Sequence, residues 1–264
     1  VVGGGVMGCS TALHLSRNRM KTTIIDGGAL CREASGTNAG TLTLNMTRAA
    51  LIPYAIKGWE LWNSTDNWLF GDVGTRKVSG LSLAFTKKEE ELLIERVEAR
   101  KAMGAPIELI SGKKAQRIEP GLSESVRCAA WCKKDGFTSA YLTGKEFRRA
   151  LKNENVFLKE YSKVKKIENE KKIFKIFFHN NECIKANRIV LAGGVWLEEM
   201  LGWLNIKIKI KCLINQLIVT ERMSPIMKTV ISIANGLLSL KQFENGTILI
   251  GGGWQGIGDK ERGG

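Results

Sequence analysis

Apolar positions along the chain follow two regimes. Up to about residue 155, helix-period and strand-period segments alternate; from Val156 onward strand patterns dominate. Val1-Val2 reads as the end of a strand. Val6 to about Arg19 reads as a helix, with Ala12, Leu13 and Leu15 available for packing. Lys21–Asp26, KTTIID, is β-branched at four of six positions and predicts a second strand. Residues 47–63 predict a helix, with a kink at Pro53. Thr86 followed by Glu89 spells a capping box for the helix KKEEELLIERVEARKAM, which stops at Gly104 with Pro106 just beyond. PIELI predicts a short strand, and Ser111 the cap of a short helix. VRCAAWC predicts a strand, Asp135-Gly136 a turn, and Thr143 the start of the helix GKEFRRALK.

The second regime begins with the strands VFLKE, KVKKIE, KIFKIFFH and RIVLA. The last runs into GGVWLEEML, a glycine turn and a short helix. IKIKIKCLINQLIVTE predicts a long alternating strand. LLSLKQFENGTILIGGG predicts a hairpin about Asn245-Gly246. No internal repeat or low-complexity linker interrupts the pattern. A βαβ opening, a mixed insertion, a return to the first domain and antiparallel strands follow in order.

Composition narrows the classes. The chain has 264 residues, 44% hydrophobic and 25% charged, as in ordinary globular proteins. No run of about 18 apolar residues predicts a transmembrane helix, and no signal peptide is legible. The chain starts inside a strand and stops in GIGDKERGG, so a fragment cut at both ends is expected. Lys+Arg exceed Asp+Glu by 40 − 26 = 14. The lysines alternate with apolar residues in KVKKIENEKKIFKIFF and NIKIKIKC, the pattern of a solvated strand face. No RNP-type aromatic signature or Cys/His finger accompanies them, so no nucleic-acid partner is expected. None of the six cysteines forms CxxC. Cys128 and Cys132 share one strand face about 13 Å apart, and buried free thiols in a reducing, cytoplasmic compartment are expected. With only His14 and His179, neither a metal site nor a Ser/His/Asp triad is expected.

Gly3, Gly5 and Gly8 form G-x-G-x-x-G between a strand and a helix. The first glycine permits the tight turn, the second lets a pyrophosphate approach the backbone, and the third permits close helix–strand packing. The helix N-terminus offers unpaired N–H groups and partial positive charge to a diphosphate. Asp26 ends the second strand, where a carboxylate can accept from ribose hydroxyls and would repel a 2′-phosphate. A dinucleotide site follows from these residues. Which dinucleotide, they leave open.

The small, polar run ASGTNAG after Asp26 bears on that choice. Together with GGGVMG, IIDGG, IEPGLSESVRCAAWCKKDGFTSAYLTGKEFRRAL, RIVLAGGVW and GTILIGGGW, it resembles the D-amino-acid-oxidase-like FAD-dependent oxidoreductases over nearly the whole chain. That group includes glycine oxidase, sarcosine oxidase and D-amino-acid or hydroxyproline dehydrogenases. The resemblance implies an α/β fold: a Rossmann-like FAD-binding domain (1–46 and 141–205) interleaved with an antiparallel-sheet α+β substrate domain (47–140 and 206–264). It puts Val6 and Met7 in the pyrophosphate turn with Gly3, Gly5 and Gly8. Asp26 and Gly27 fall at the ribose, Ala34 and Ser35 over the phosphates, and Ala39, Gly40 and Thr41 beside the flavin ring. Val164 meets the adenine through its backbone, and Ala192, Gly193 and Gly194 end a strand beside the cofactor. Taken alone, Val164 and Trp196 also read as packing residues, and AGGVW as a strand-to-helix turn.

The implied chemistry is oxidation of a small amine or amino acid: hydride passes from the carbon next to nitrogen to flavin N5, and the imine is hydrolysed. No protein base is implied, and the electron acceptor is oxygen or another carrier. Relatives with covalent flavin carry histidine after S-G; SGTNAG has none, so non-covalent FAD is expected. Thr41 and Ser239 are candidates for the pocket lining. The G-L-R-P arginine that holds the substrate carboxylate in glycine oxidases has no counterpart here and is expected beyond residue 264. The alternatives are a flavin-binding subunit of a hetero-oligomer and an NAD-linked enzyme; ASGTNAG and the return at RIVLAGG argue against the latter.

Overall fold

Backbone pairing at the first residues sets the frame of the computed structural model, which describes residues 1–236 and 238–260. Leu237, at the head of the predicted hairpin, and the ERGG of GIGDKERGG lie outside the described residues. Two compact units share the chain: residues Val1–Asn38, Asp66–Val73 and Ala140–Leu213 form the first, and Ala39–Thr65, Gly74–Ser139 and the chain from Ile214 the second.

In the first unit Val2 bridges in parallel to both Ile25 and Leu191. The strand Thr23–Ile25 pairs in parallel with Phe157–Lys159. Such a parallel arrangement requires helical crossovers, and Val6–Arg17 and Ala140–Asn153 are helices. Phe147 and Leu151 of the second helix are fully buried, and Trp68 meets Phe147 edge-on at 5.7 Å. An antiparallel meander orders Cys183–Ala186, Ile173–Phe178 and Val164–Glu170. Its Ile167, Ile176 and Phe178 join Val2, Ile25 and Val164 in one core.

A seven-stranded sheet forms the second unit. Its order is Ile218–Val219, Ile248–Gly251, Ser239–Gln242, Val230–Ile233, Gly80–Ala84, Cys128–Cys132 and Ile107–Ser111. Only Val230–Ile233 against Gly80–Ala84 is parallel. One face buries Leu44, Ile52, Leu93, Val97, Cys128 and Cys132; the other buries Leu81, Leu83, Ile110 and Ile231. A smaller sheet places Gly136–Phe137 between Thr41–Leu42 and Arg76–Lys77. Helix Lys87–Ala102 carries the capping box: Glu89 N donates to Thr86 Oγ1 at 3.2 Å, and Thr86 N donates to Glu89 Oε2 at 3.1 Å. Hydrogen bonding to that backbone holds the Glu89 carboxyl below its usual range.

Several expectations are corrected. Pro53 does not kink a helix; it sits in the first turn of Ile52–Trp62, where its missing N–H costs nothing. Thr143 lies inside the helix, which starts at Ala140. The turn expected at Asp135-Gly136 falls at Lys133-Lys134, and Gly136 begins a strand. RIVLA supplies only the bridge at Leu191. The long strand expected over 206–221 shrinks to Ile218–Val219: Ile206 and Ile208 are exposed, like the intervening Lys207, so no face is buried to hold it. Domain limits shift as well. Residues 39–46 cluster with the second unit, because Thr41 pairs with Phe137. Residues 66–73 cluster with the first, where the Trp68 carbonyl accepts from Arg17 Nη2 at 2.7 Å. Residues 206–213 do so too, as Ile210 N donates to Glu198 Oε2. Among the described residues no helix is long and apolar enough to cross a membrane.

Stability can be moved in either direction at two turns. Thr86→Ala removes the acceptor of the capping box and should cost about 1 kcal/mol in urea unfolding. Between the strands Val164–Glu170 and Ile173–Phe178, Lys171 and Lys172 both adopt positive φ, 48° and 73°. Asn-Gly suits such a turn far better, so Lys171→Asn with Lys172→Gly should raise the unfolding free energy, by about 1 kcal/mol.

Candidate functional site

The opening glycines leave the first strand through a turn that side chains could not make. Gly3 has φ of +104°, and a β-carbon there would overlap the Ala192 carbonyl. A β-carbon on Gly8 would run into the Gly3 carbonyl oxygen, so the helix packs directly on the strand end. Gly5 is the N-cap of Val6–Arg17; it offers no side-chain cap, and the first turn holds no acidic residue. The N–H of Val6 donates to Ser35 Oγ at 3.0 Å, and the side chain of Met7 is 72% exposed. A helix start with no cap from its own side chains and no carboxylate in its first turn presents a positive dipole end that favours anions.

Asp26 frames this turn from below. Its Oδ2 accepts from Gly4 N at 2.6 Å and its Oδ1 from Gly28 N at 2.7 Å. Both oxygens therefore already hold backbone; each keeps a lone pair for a further donor. Gly27, between these anchors, is exposed. Ala34 and Ser35 open the one-turn helix Ala34–Thr37, with Ala34 exposed and Ser35 reaching back to Val6. Beneath the turn, Cys9 and Cys31 place their sulfurs 3.9 Å apart. The shared hydrogen bond and burial push the Cys9 thiol far up, which keeps it protonated.

The other expected residues of the first unit surround the same strand ends. Val164 is a core side chain at the start of its strand, packed with Val2 and Ile25. Ala192 N donates to the Val2 carbonyl at 2.7 Å. A β-carbon on Gly193 would meet Met200 Sδ at 2.5 Å, and Gly194 has φ of +56° in open space. The unit thus brings together Gly3, Gly5, Val6, Met7, Gly8, Asp26, Gly27, Ala34, Ser35, Val164, Ala192, Gly193 and Gly194.

Ala39, Gly40, Thr41 and Ser239 belong to the second unit. Gly40 has φ of +64°, and a β-carbon there would overlap the Thr138 carbonyl. Thr41 Oγ1 accepts from Lys241 Nζ at 2.5 Å. Lys241 and Asp135 are the residues that sequence reasoning missed. Lys241 is 2% exposed, and burial lowers its pKa to about 7. Asp135 is 1% exposed; burial pushes it up to about 6, against hydrogen bonds from Leu44 N and Thr43 Oγ1. Strand alternation carried a signal for Lys241, since it shares a face with Ser239. Asp135 was hidden by its Asp-Gly dipeptide, which imitates an exposed turn.

Similarity to known proteins agrees with this geometry. The family described as FAD dependent oxidoreductase (DAO) matches residues 1–263. The B component of opine oxidase from Rhizobium meliloti, one subunit of that enzyme, is 25% identical over 264 residues, covering 95% of this chain and 69% of that relative. The crystal structure of glycine oxidase from Geobacillus kaustophilus superposes with a TM-score of 0.86 at 22% identity, over 98% of this chain and 71% of that one. L-alpha-glycerophosphate oxidase from Mycoplasma pneumoniae, solved with FAD bound, superposes with a TM-score of 0.84 at 21% identity, over 98% and 72%. The chain belongs to the DAO family of FAD-dependent oxidoreductases.

Proposed function

We propose that the protein oxidises a small amine or amino acid with FAD, and that the first unit holds the cofactor. The observation that carries the cofactor half is the uncapped helix start at Gly5 behind the positive-φ Gly3. There the backbone of Gly5, Val6 and Met7 receives the pyrophosphate. The free lone pairs of Asp26, with Gly27 beside it, receive the ribose. Ala34 and Ser35 cover the phosphates, and the Val164 backbone meets the adenine. Ala192, Gly193 and Gly194 leave room that a side chain would fill, and Ala39, Gly40 and Thr41 run beside the flavin ring. When bound, FAD supplies the two-electron oxidation that turns the C–N bond of the substrate into a hydrolysable imine. The chain itself orients the substrate and excludes water. SGTNAG offers no histidine for attachment, so no covalent link to FAD forms in that loop.

Glycine oxidase and the opine oxidase component, both acting on amino compounds by name, support the amine reading. The opine oxidase relative is itself one subunit of an enzyme, which favours as runner-up a flavin-binding subunit that needs a partner for activity. The acceptor of electrons is oxygen or a further carrier. The buried free thiols Cys9, Cys31, Cys128 and Cys132 support a cytoplasmic location.

Gly5→Asp tests the cofactor half without sacrificing the fold. An aspartate is a favourable N-cap and interacts well with the helix dipole, so the variant should melt no lower than wild-type protein stripped of flavin, whose loss by itself destabilises. Its carboxylate takes the place of the pyrophosphate, so visible flavin absorbance should vanish; full flavin occupancy would refute the site. For the reaction, anaerobic addition of glycine, sarcosine, D-alanine, D-proline or D-hydroxyproline to the flavin-loaded protein should bleach the flavin with one of them. Flavin that stays oxidised with every amine, but bleaches once a partner chain is added, would establish the runner-up instead.

A further inference from the structure

Two of the four buried thiols stand in contact. Cys128 and Cys132 share one strand face about 13 Å apart and do not meet. Cys9 and Cys31 place their sulfurs 3.9 Å apart, although they lie 22 residues from each other along the chain. Cys9 comes from the helix that leaves the glycine turn, and Cys31 from the loop that follows Asp26.

Backbone fixes both residues. Cys31 N donates to the Gly4 carbonyl at 2.8 Å, and Cys9 N to that of Gly5 at 2.9 Å. Behind Cys31 the helix Ala140–Asn153 comes so close that a β-carbon on Gly144 would stand 3.0 Å from that of the cysteine. The Cys31 carbonyl in turn leaves Gly36 no room for a side chain. Cys31 holds φ of +53°, which residues with side chains rarely adopt. Such a conformation persists where the surroundings over-determine it, and here they leave its sulfur against Cys9. A disulfide needs the sulfurs about 2.05 Å apart. Rotation about the two Cα–Cβ bonds spans the gap of about 2 Å that remains. Ionisation favours Cys31 as the attacking sulfur: hydrogen bonding from Cys9 lowers the Cys31 thiol, whereas that bond and burial push Cys9 far up. Cys31 also adjoins the exposed residues Arg32, Glu33 and Ala34.

We propose that Cys9 and Cys31 are a redox modification site: hydrogen peroxide joins them in a disulfide that clamps the helix after the glycine turn to the loop carrying Ala34 and Ser35. The Cys31 sulfur attacks one peroxide oxygen, the O–O bond breaks, and hydroxide leaves with the Cys31 proton as water. The Cys9 sulfur then attacks the sulfenic acid so formed, the S–O bond breaks, and a second water leaves with the Cys9 proton. Two thiols are oxidised and one peroxide is reduced to two waters. Small thiols such as glutathione reopen the bond by exchange, two of them ending as one disulfide. Reversible bonds of this kind are the ones that occur in reducing compartments. The turn survives closure, because Gly4 N stays on Asp26 Oδ2 and the Gly4 carbonyl on Cys31 N. The effect of the clamp rests on the FAD reading above: closed, it keeps the loop over the phosphates from lifting off the turn, and bound flavin leaves more slowly.

The test treats the full-length, flavin-loaded protein with hydrogen peroxide, digests it with trypsin without reduction, and maps the disulfides by mass. The tryptic peptides ending at Arg17 and Arg32 should appear joined, and should part again after glutathione. Cys9→Ala and Cys31→Ala should each abolish the joined peptide; Cys183→Ser, at an exposed thiol, should not. In wild-type protein stripped of flavin, the closed form should melt higher than the open one, since a cross-link between residues 22 apart restricts the unfolded chain. Flavin release on dilution should be slower in the closed form by about threefold or more, as local opening of the loop is suppressed. No joined peptide in the wild type, pairing of Cys31 with a different cysteine, a closed form that melts lower, or flavin that leaves no more slowly would each overturn the clamp. A protein that never holds flavin would instead refute the cofactor reading, and the joined peptide and the melting of the flavin-free protein would still decide on Cys9 and Cys31.

Discussion

One carboxylate holds the glycine turn in the shape on which the first unit depends. Asp26 sits at the end of the second strand and reaches back to Gly4 N with one oxygen and forward to Gly28 N with the other. A hydrogen bond to an ionised acceptor is about twice as strong as a neutral one, and here two of them fix two loops at once. With Gly4 so held, Gly3 can keep its positive φ and Gly5 can end the turn as an N-cap without a side chain. The turn stays open because a carboxylate outside the helix, rather than a capping side chain within it, fixes its geometry. In the first turn of the helix the Val6 N–H consequently meets no capping side chain of its own helix and donates instead to Ser35 Oγ.

The same economy of polar groups runs through the second unit. Glu119, Asp135 and Arg100 are buried, and each is bonded to backbone of a distant segment. Buried polar groups bonded in this way fix one arrangement of loops, although all three bonds to Glu119 fall on Oε2 and its buried Oε1 has no partner among the described residues. Lys241 likewise joins two distant segments, through the hydroxyl of Thr41, and burial lowers its pKa to about 7.

What was legible in the sequence follows from the range of the forces involved. The glycine turn, the capping box at Thr86 and the serine cap at Ser111 are written within a few residues, and each formed as read. The α/β class was legible because the strand–helix–strand opening and the family resemblance agree. Elements that depend on distant partners were not. IKIKIKC alternates perfectly, yet a strand needs a neighbour and a buried face; Ile206 and Ile208 found neither. Thr143 has the chemistry of a cap, but Ala140 had already begun the helix, and Thr143 is buried within it. Unit membership of residues 39–46 and 66–73 likewise rests on long-range contacts, Thr41 with Phe137 and Trp68 with Phe147.

Legibility of the candidate site divides along the same line. Glycines announce themselves because only they tolerate the close backbone approach at Gly3 and Gly40. Asp26 was found by its spacing, but its double hold on Gly4 and Gly28 could not be foreseen, since it depends on where two loops come to lie. Lys241 was passed over because a lysine in a lysine-rich chain reads as solvated surface. That inference counts residues rather than faces: of the residues Ser239 to Gln242, Lys241 is the buried one. A charge placed where the strand pattern demands an apolar residue is a local conflict, and such conflicts persist chiefly where function compensates for them.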